Sequence, residues 1–568
     1  MPKKVVIIGG VAGGASTAAR LRRLDETAEI IILERGAYVS YANCGLPYYV
    51  GGVITDKEKL ELMTPQKFLE RFNIDVRINN EAISINRVEK QVTVKNQSSG
   101  EEYTLDYDVL VLSPGAEPIR PPFKGIDQVP VFTLRTIPDT FKMDDFISNN
   151  NPKSAVVVGG GFIGLEMAEN LKERGLDVTV VELMDQVMIT LDREMAQYVH
   201  YELYRHDINL VLGDGVDSFE NNDSGRAVVI TQSGNKIETD MIVLAIGVKP
   251  ESQLARECDL ELSPRGHIVV NKKMQTSDPN IYAVGDAVQV INFITEERVA
   301  VPLAGPANKQ GRIAANNIAG EVEEYEGVLA AAVVKVFDIT VAQVGLNEKQ
   351  LKNTEIKYDK AYLHPMNHVG YYPGGNKLAI KLLFEKTDGK VLGAQVLGGD
   401  GAEKRIDVIS TAIHFGGTVF DLEKLELTYA PPYGSAKDPV NMAGFIASNI
   451  VKGKMNSYHW HDVNELVGKG VFLFDVRRDD EFETSTIKGS VHISEFEMRQ
   501  RLEELPKDET IYAFCQEGFR AYISQRNLRQ RKFDVLNLNG GFKTYVMATS
   551  TQEELKEMVK NPPFRIIF

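Results

Sequence analysis

Short, continuous apolar runs recur along the chain and end in glycine or acid. Residues 5–8 form the first run and 30–33 the second, and residues 15–24 between them read as a helix. Runs of about four apolar residues without polar alternation suit strands of a parallel sheet covered on both faces. The succession returns at 155–158 and 178–181, and a further strand leads into Gly285 and Asp286. Past residue 325 the texture changes. Longer runs at 378–384 and 391–397 predict strands, and 402–415 a helix. A polar stretch over 451–457 sets off a last segment, in which 471–474 and 511–514 read as strands. The expected class is α/β.

The turns carry the chemistry. Strand, glycine turn, helix, strand and acid is a layout that binds a dinucleotide. Glycines let the backbone approach a pyrophosphate, and a helix N-terminus supplies partial positive charge. In the first copy Gly9 and Gly14 hold the outer places, Val11 stands at the middle one, and Glu34 closes the second strand. The second copy is a full match, with Gly159, Gly161 and Gly164, and Glu182 as its acid. Two copies predict two dinucleotides, one kept and one exchanged. An acid there accepts from the adenosine ribose and repels a 2′-phosphate, so the second site is expected to prefer NADH over NADPH. Asp286 follows a glycine that lets the chain pass close to a ligand, and is placed to bond the ribityl hydroxyls of a flavin.

The 568 residues suffice for about three or four domains of ~150 residues each. A net charge of −15 argues against a nucleic-acid protein, which would show a basic face. Three cysteines, Cys44, Cys258 and Cys515, make no disulfide framework and suit a reducing compartment. The first apolar run breaks at Gly9, too early for a secretory signal, and no stretch nears the ~20 apolar residues of a membrane span. The expected location is the cytoplasm. The nine histidines show no metal-ligand spacing, so no metal is expected, and His459 and His461 beside Trp460 read as core or surface.

Cys44 lies in SYANCGLPY, residues 40–48, with no second cysteine nearby. A lone redox thiol must take its sulfur partner from a small molecule or stop at sulfenate. The two glycine motifs, YDVLVLSPGA at 107–116 and the Gly285-Asp286 ending stand in the order found in one family. Residues 1 to about 450 resemble the pyridine nucleotide–disulfide oxidoreductases, and the Cys44 segment resembles their single-cysteine branch. That branch includes coenzyme A disulfide reductases, and NADH oxidases and peroxidases.

The resemblance implies two Rossmann-like domains, FAD-binding over 1–120 and 247–324 and NAD(P)H-binding over 121–246. An α+β dimerisation domain of a homodimer would cover 325–450. FAD contacts are implied at Gly9, Ala12, Gly14, Glu34, Arg35, Gly115, Gly285 and Asp286, and NAD(P)H contacts at Gly159, Gly161, Gly164 and Glu182. Coenzyme A contacts are implied at Ser16, Arg20, Arg23, Ser40, Asn43, Asn308 and Lys437. Arg20 and Arg23 stand one turn apart on a helix and would clamp the nucleotide phosphates. The oxidases and peroxidases carry a histidine where Ala12 stands, and an alanine transfers no proton. GYYPG at 370–374 and YAPPY at 429–433 resemble the two tyrosine motifs of the coenzyme A disulfide reductases. Those motifs would bring Tyr371 and Tyr429 to the cysteine of the other subunit.

Residues 458–568 resemble an α/β rhodanese domain, through DVR at 475–477, IKGSVHI at 487–493, CQEGFR at 515–520 and LNGGF at 538–542. A strand ends and a helix starts around Cys515, so backbone N–H groups can stabilise a thiolate or persulfide, and Arg520 adds positive charge. Cys258 is given no role. The reading is an FAD enzyme that uses NADH, with NADPH possible, to reduce coenzyme A disulfide, persulfide or polysulfide. Cys44 attacks sulfur, Tyr371 and Tyr429 serve the leaving group, and Cys515 carries sulfane sulfur. Two alternatives stay open: an NADH oxidase or peroxidase cycling Cys44 through sulfenate, and a non-catalytic redox sensor or sulfur carrier.

Overall fold

The computed structural model describes residues 2–564 and 566. Contacts divide it into two compact units, one of the residues up to Leu183 with Asp214–Ala330, the other of Met184–Gly213 with the residues from Ala331 on.

In the first unit the apolar runs pair as their composition demands. A parallel sheet has the order Ile281–Ala283, Val109–Leu112, Lys4–Ile8, Glu29–Glu34, Asp75–Ile78. Val5, Val6 and Ile7 in its middle strand have no exposed surface, which is why that run cannot alternate with polar residues. A second parallel set runs Val131–Phe132, Met241–Leu244, Ser154–Val158, Asp177–Glu182. Each central strand ends in a glycine turn that winds directly into a helix, Ala12–Leu24 and Phe162–Glu173. The first helix starts three residues before its expected position, because the glycine turn itself supplies the first helical residues.

The second unit holds two more sheets. One is antiparallel, in the order Ala332–Val336, Ile339–Gly345, Val391–Gly398, Leu378–Glu385, Tyr358–Leu363, with helix Ala402–His414 packed on it. The other is parallel, in the order Ser457–Tyr458, Val535–Leu538, Ile511–Phe514, Phe472–Asp475, Val491–His492. Hydrogen bonds join them. The Asn539 side chain accepts from Tyr362 N at 3.0 Å and donates to Lys360 O at 2.7 Å, extending one sheet edge with a side chain. His364 and Thr544 meet at 2.9 Å.

Helix Arg193–Arg205 is buried along most of its length in this unit. Gln197 on it donates to Ser550 O and the Tyr204 hydroxyl to Gln552, both at 2.9 Å. Beneath it lies an ionic cluster: the fully buried Lys381 ammonium contacts Asp192, Glu194 and Glu348 at 2.5–2.7 Å. The polar stretch 451–457 is pinned at its end, where Asn456 O accepts from Asn537 N at 2.9 Å and from Gln525 at 2.6 Å. No described helix is long and apolar enough to cross a membrane.

Candidate functional site

Both glycine turns are built alike. Gly9 and Gly159 hold φ at +93° and +107°, and a Cβ on either would fall 2.1 or 2.4 Å from the carbonyl oxygen of Ser113 or Ala245. Only glycine fits there. The helices that follow start with no side-chain cap and no acid in the first turn, leaving N–H groups for an anion. Beside Gly161 the space is open, with nothing within 4 Å of the place a Cβ would take. Glu34 accepts from Gly10 N at 3.1 Å and from Gly36 N at 2.9 Å, and Glu182 accepts from Gly160 N at 2.7 Å. Each acid is thus held at the lip of its turn.

Asp286 follows Gly285, whose N–H donates to Gln310 at 2.8 Å. Burial pushes the Asp286 carboxyl above the usual range. Among the described residues it takes part in no hydrogen bond or ion pair, so a ligand bringing hydroxyl donors would satisfy it. Arg35 and Arg135 grip Glu251 at 2.6 and 2.7 Å, and Arg135 also donates to Pro114 O at 3.2 Å, beside Gly115. Open cradles, uncapped helix ends and an unpaired half-buried carboxyl fit two dinucleotides.

Cys44 sits in the short turn Asn43–Gly45, ahead of helix Leu46–Val50. Ser40, at φ +48°, is in the left-handed region, held by its N–H on Gly10 O at 2.8 Å and by its carbonyl, which accepts from Leu62 N at 3.1 Å. This ties the cysteine segment to the first glycine turn. Tyr48, one turn past Cys44, donates to Glu166 on helix Phe162–Glu173 at 3.5 Å. Burial pushes Glu166 up to about 7 and Tyr48 up to about 12. Burial, then the charges of Glu166 and Asp286, push the Cys44 thiol up. Glu166 and Tyr48 escaped the sequence reading; nothing in their local pattern marks them, and only packing brings them together.

The positions expected to hold coenzyme A fall partly together. Helices Ala12–Leu24 and Ala304–Ile318 pack along one another, and the Ser16 hydroxyl donates to Asn308 between them. Arg20, one turn on, is half-buried: its Nε donates to Asn316 at 2.7 Å, and Glu321 lies 3.9 Å from its Nη2. Arg23 and Asn43 are exposed. Arg22 between the two arginines is buried and caps the carbonyls of Phe72, Asn73, Asp25 and Glu26, so it is structural.

In the second unit the two tyrosine motifs meet. The Tyr371 and Tyr429 hydroxyls are 2.8 Å apart and both rings are exposed. Their loops are latched by Arg405, buried at 2% exposure, which donates to Asn367 O and Asp438 Oδ2, each at 2.9 Å. Val369 N donates to Gly434 O at 3.0 Å across the same pair of loops. Lys437 is exposed beside Asp438.

Cys515, 1% exposed, directly follows strand Ile511–Phe514 and precedes helix Phe519–Arg529. Gly518 N points at its sulfur at 3.2 Å, and the backbone around Glu517 and Ala521 and the charge of Arg520 all favour a thiolate. Burial outweighs them, and the thiol is pushed up. The expected nest exists, then, but does not by itself ionise the sulfur. Arg520 is also partly neutralised, since both oxygens of Glu481 accept from it, at 2.6 and 2.7 Å. Cys258 is buried, with its carbonyl held by Arg87 at 3.1 Å, and lines no described cavity. Two acid clusters have spacing that could hold a metal ion: Asp192, Glu194 and Glu348, into which Lys381 already projects, and Glu202, His206 and Asp338.

Comparison with known proteins matches residues 3–311 to the model described as "Pyridine nucleotide-disulphide oxidoreductase", 331–438 to that family's dimerisation domain and 459–548 to a rhodanese-like domain. The chain is 38% identical over 445 residues to a coenzyme A disulfide reductase of Staphylococcus epidermidis, covering 78% of this chain and 99% of that one. It superposes on the reduced CoADR-RHD of Bacillus anthracis with a TM-score of 0.95 at 52% identity, covering 96% and 98% of the two chains. A NAD-dependent persulfide reductase from A. fulgidus gives a TM-score of 0.88 at 38% identity, covering 95% and 100%.

Proposed function

The chain belongs to the pyridine nucleotide–disulphide oxidoreductase family, and from that premise we propose that it is an NADH-dependent flavoenzyme reducing sulfur linked to coenzyme A, with a sulfur carrier in its last domain. The observation that carries this reading is the exposed Tyr371–Tyr429 hydroxyl pair, at 2.8 Å, in a chain whose redox segment holds one cysteine. FAD, when bound, passes two electrons from NADH to sulfur.

Gly9, Gly14, Glu34, Gly285 and Asp286 would hold FAD, with Ala12, Arg35 and Gly115 at its edges. Gly159, Gly161, Gly164 and Glu182 would hold NADH. Glu182 at the lip of its turn supports NADH over NADPH; a higher kcat/KM with NADPH would count against it. Ser16, Arg20, Arg23, Ser40, Asn43, Asn308 and Lys437 would meet coenzyme A.

Cys44 acts as a thiolate, because the thiol is a poor nucleophile. It attacks one sulfur of the S–S bond, forms a mixed disulfide with coenzyme A, and expels the other sulfur with its electron pair. Tyr371 and Tyr429, from the partner subunit of a homodimer, would donate a proton to a departing thiolate. Two electrons then split the mixed disulfide and restore Cys44. With a persulfide the expelled product is sulfide. A cytoplasmic setting suits free thiols at Cys44, Cys258 and Cys515.

The test is direct. FAD-loaded protein given NADH and coenzyme A persulfide should release sulfide, and Cys44→Ser should abolish release. Oxygen consumption without thiol or sulfide formation would favour the oxidase reading instead.

A further inference from the structure

The Cys515 loop opens on a cavity of about 630 Å³ whose lining includes Arg477, Phe519, Arg520, Phe564 and Lys377. Every side chain of residues 516–520 that carries a polar group is anchored. Gln516 accepts from Arg477 at 3.1 Å, and Arg520 binds Glu481. The loop carbonyls are anchored too: Cys515 O accepts from Phe542 N at 2.8 Å and Gln516 O from Lys543 N at 3.0 Å.

All of these partners belong to the rhodanese-like domain. Glu517 differs. Its carboxylate binds Lys377 at 2.7 Å, and Lys377 lies in the dimerisation domain, just ahead of strand Leu378–Glu385 and six residues beyond Tyr371. The same ammonium donates to His364 O at 3.1 Å, which fixes its position. Lys543, buried at 1% exposure, stands 3.7 Å from the other Glu517 oxygen.

Resting on the reading of Cys515 as a sulfur carrier, we propose that Lys377 is a positioning residue for Cys515, neutralising Glu517 so that the loop can hold an anionic sulfur. The carrier step puts negative charge there. The Cys515 thiolate takes the terminal sulfur of an organic persulfide: the donor's S–S bond breaks, a new S–S bond forms on Cys515, and the donor leaves as a thiolate that picks up a proton from water. No oxidant is needed, since the sulfane sulfur keeps its oxidation level.

The charges around the loop are Arg477, paired with Asp475, Arg520 with Glu481 and Glu495, and Lys543 and Lys377 with Glu517. The Tyr458 phenol is buried and donates to Tyr512 O at 3.4 Å; burial, then charges that include Cys515, push it up. Without Lys377, the partner left to Glu517 among the described residues is the more distant Lys543, and the carboxylate, lining the same cavity as Cys515, would oppose the thiolate and persulfide. The dimerisation domain thus completes the electrostatics of a sulfur site in the domain beside it.

The test follows the Cys515 peptide by mass spectrometry in full-length, FAD-loaded protein. Iodoacetamide alkylation is measured against pH, and loading with glutathione persulfide at neutral pH. Lys377→Met should raise the midpoint of Cys515 alkylation by about one pH unit, a roughly tenfold loss of thiolate at neutral pH, and slow loading to match. Glu517→Gln in the same chain should restore both. An unchanged alkylation profile in Lys377→Met, or a Glu517→Gln double variant that rescues nothing, would overturn the proposal. The alkylation arm needs no sulfur transfer: if wild-type Cys515 alkylates but takes no sulfur, the carrier reading fails while the effect of Lys377 is still read.

Discussion

Lys381→Met tests how the second unit holds charge inside. The Lys381 ammonium has no exposed surface and meets Asp192, Glu194 and Glu348 at 2.5–2.7 Å, while Lys360 meets Glu348 at 2.8 Å. At such distances, and an effective dielectric constant of about 20, each attraction is worth roughly 6 kcal/mol before desolvation. Removing the cation leaves three buried carboxylates facing one ammonium, so unfolding should become easier by about 3–5 kcal/mol at neutral pH.

The pH dependence should change as well, from flat to falling. In the wild type, Glu194 and Glu348 are held below the ordinary carboxylate range against their burial by Lys381, and Lys381 is held far above its own. The carboxylate contribution is present above their unfolded value of about 4.3 and fades as pH falls through the folded values. That of Lys381 is complete below its unfolded value of about 10.4 and fades as pH rises through the folded one. Stability is therefore flat between these limits as far as this cluster goes. In the variant, burial is no longer offset and at least one carboxyl takes up a proton on folding. Its stability should then fall as pH rises from 6 to 8, by up to about 1.4 kcal/mol per unit. Urea unfolding followed by the fluorescence of Trp460, the single tryptophan, reports on this unit. With a slope of about 3 kcal/mol/M, the midpoint should drop by about 1 M or more. A variant within about 1 kcal/mol of wild type at pH 7, with a flat profile from pH 6 to 8, would refute the reasoning.

Tyr371→Phe and Tyr429→Phe should each slow NADH oxidation with coenzyme A disulfide by about 10²-fold, the usual weight of a proton donor. Because the two hydroxyls share one hydrogen bond, the double variant should be no slower than the worse single one; multiplied losses would show independent roles. Glu166→Gln removes a charge that pushes the Cys44 thiol up once Glu166 ionises near pH 7, so Cys44 alkylation should shift to lower pH by several tenths of a unit. An unmoved or raised midpoint for the Cys44 peptide would contradict that coupling.

The strands of both Rossmann-like sheets were readable because burial on two faces forbids polar interruption, and the glycine turns because no other residue survives the contact at Gly9 or Gly159. Cys44 and the tyrosine motifs were readable as local words. Pairs that cross long stretches of chain were not. Tyr48–Glu166, Lys377–Glu517 and Lys381–Glu194 join residues separated by 118, 140 and 187 positions, and no spacing rule links them. Arg20, Arg22 and Arg23 look alike in sequence, yet one is a buried cap, one is bound to Asn316 and one is exposed. At Cys515 the motif revealed the ring of N–H groups but not the burial that opposes them.

The polar stretch before residue 458 invites a picture of a sulfur carrier swinging on a tether, and the hydrogen bonds of the second unit oppose it. A tether leaves its ends unpaired, whereas Asn456 O takes two donors and Met455 is 6% exposed. Asn539 completes a strand edge of the dimerisation domain from inside the rhodanese-like one, and His364–Thr544 and Gln197–Ser550 add two further bonds. Undocking would strand these buried groups, at about 1–3 kcal/mol for each left unsatisfied. It would also separate Lys377 from Glu517. The loop of Cys515 is thus held against the segment that follows Tyr371, through Lys377.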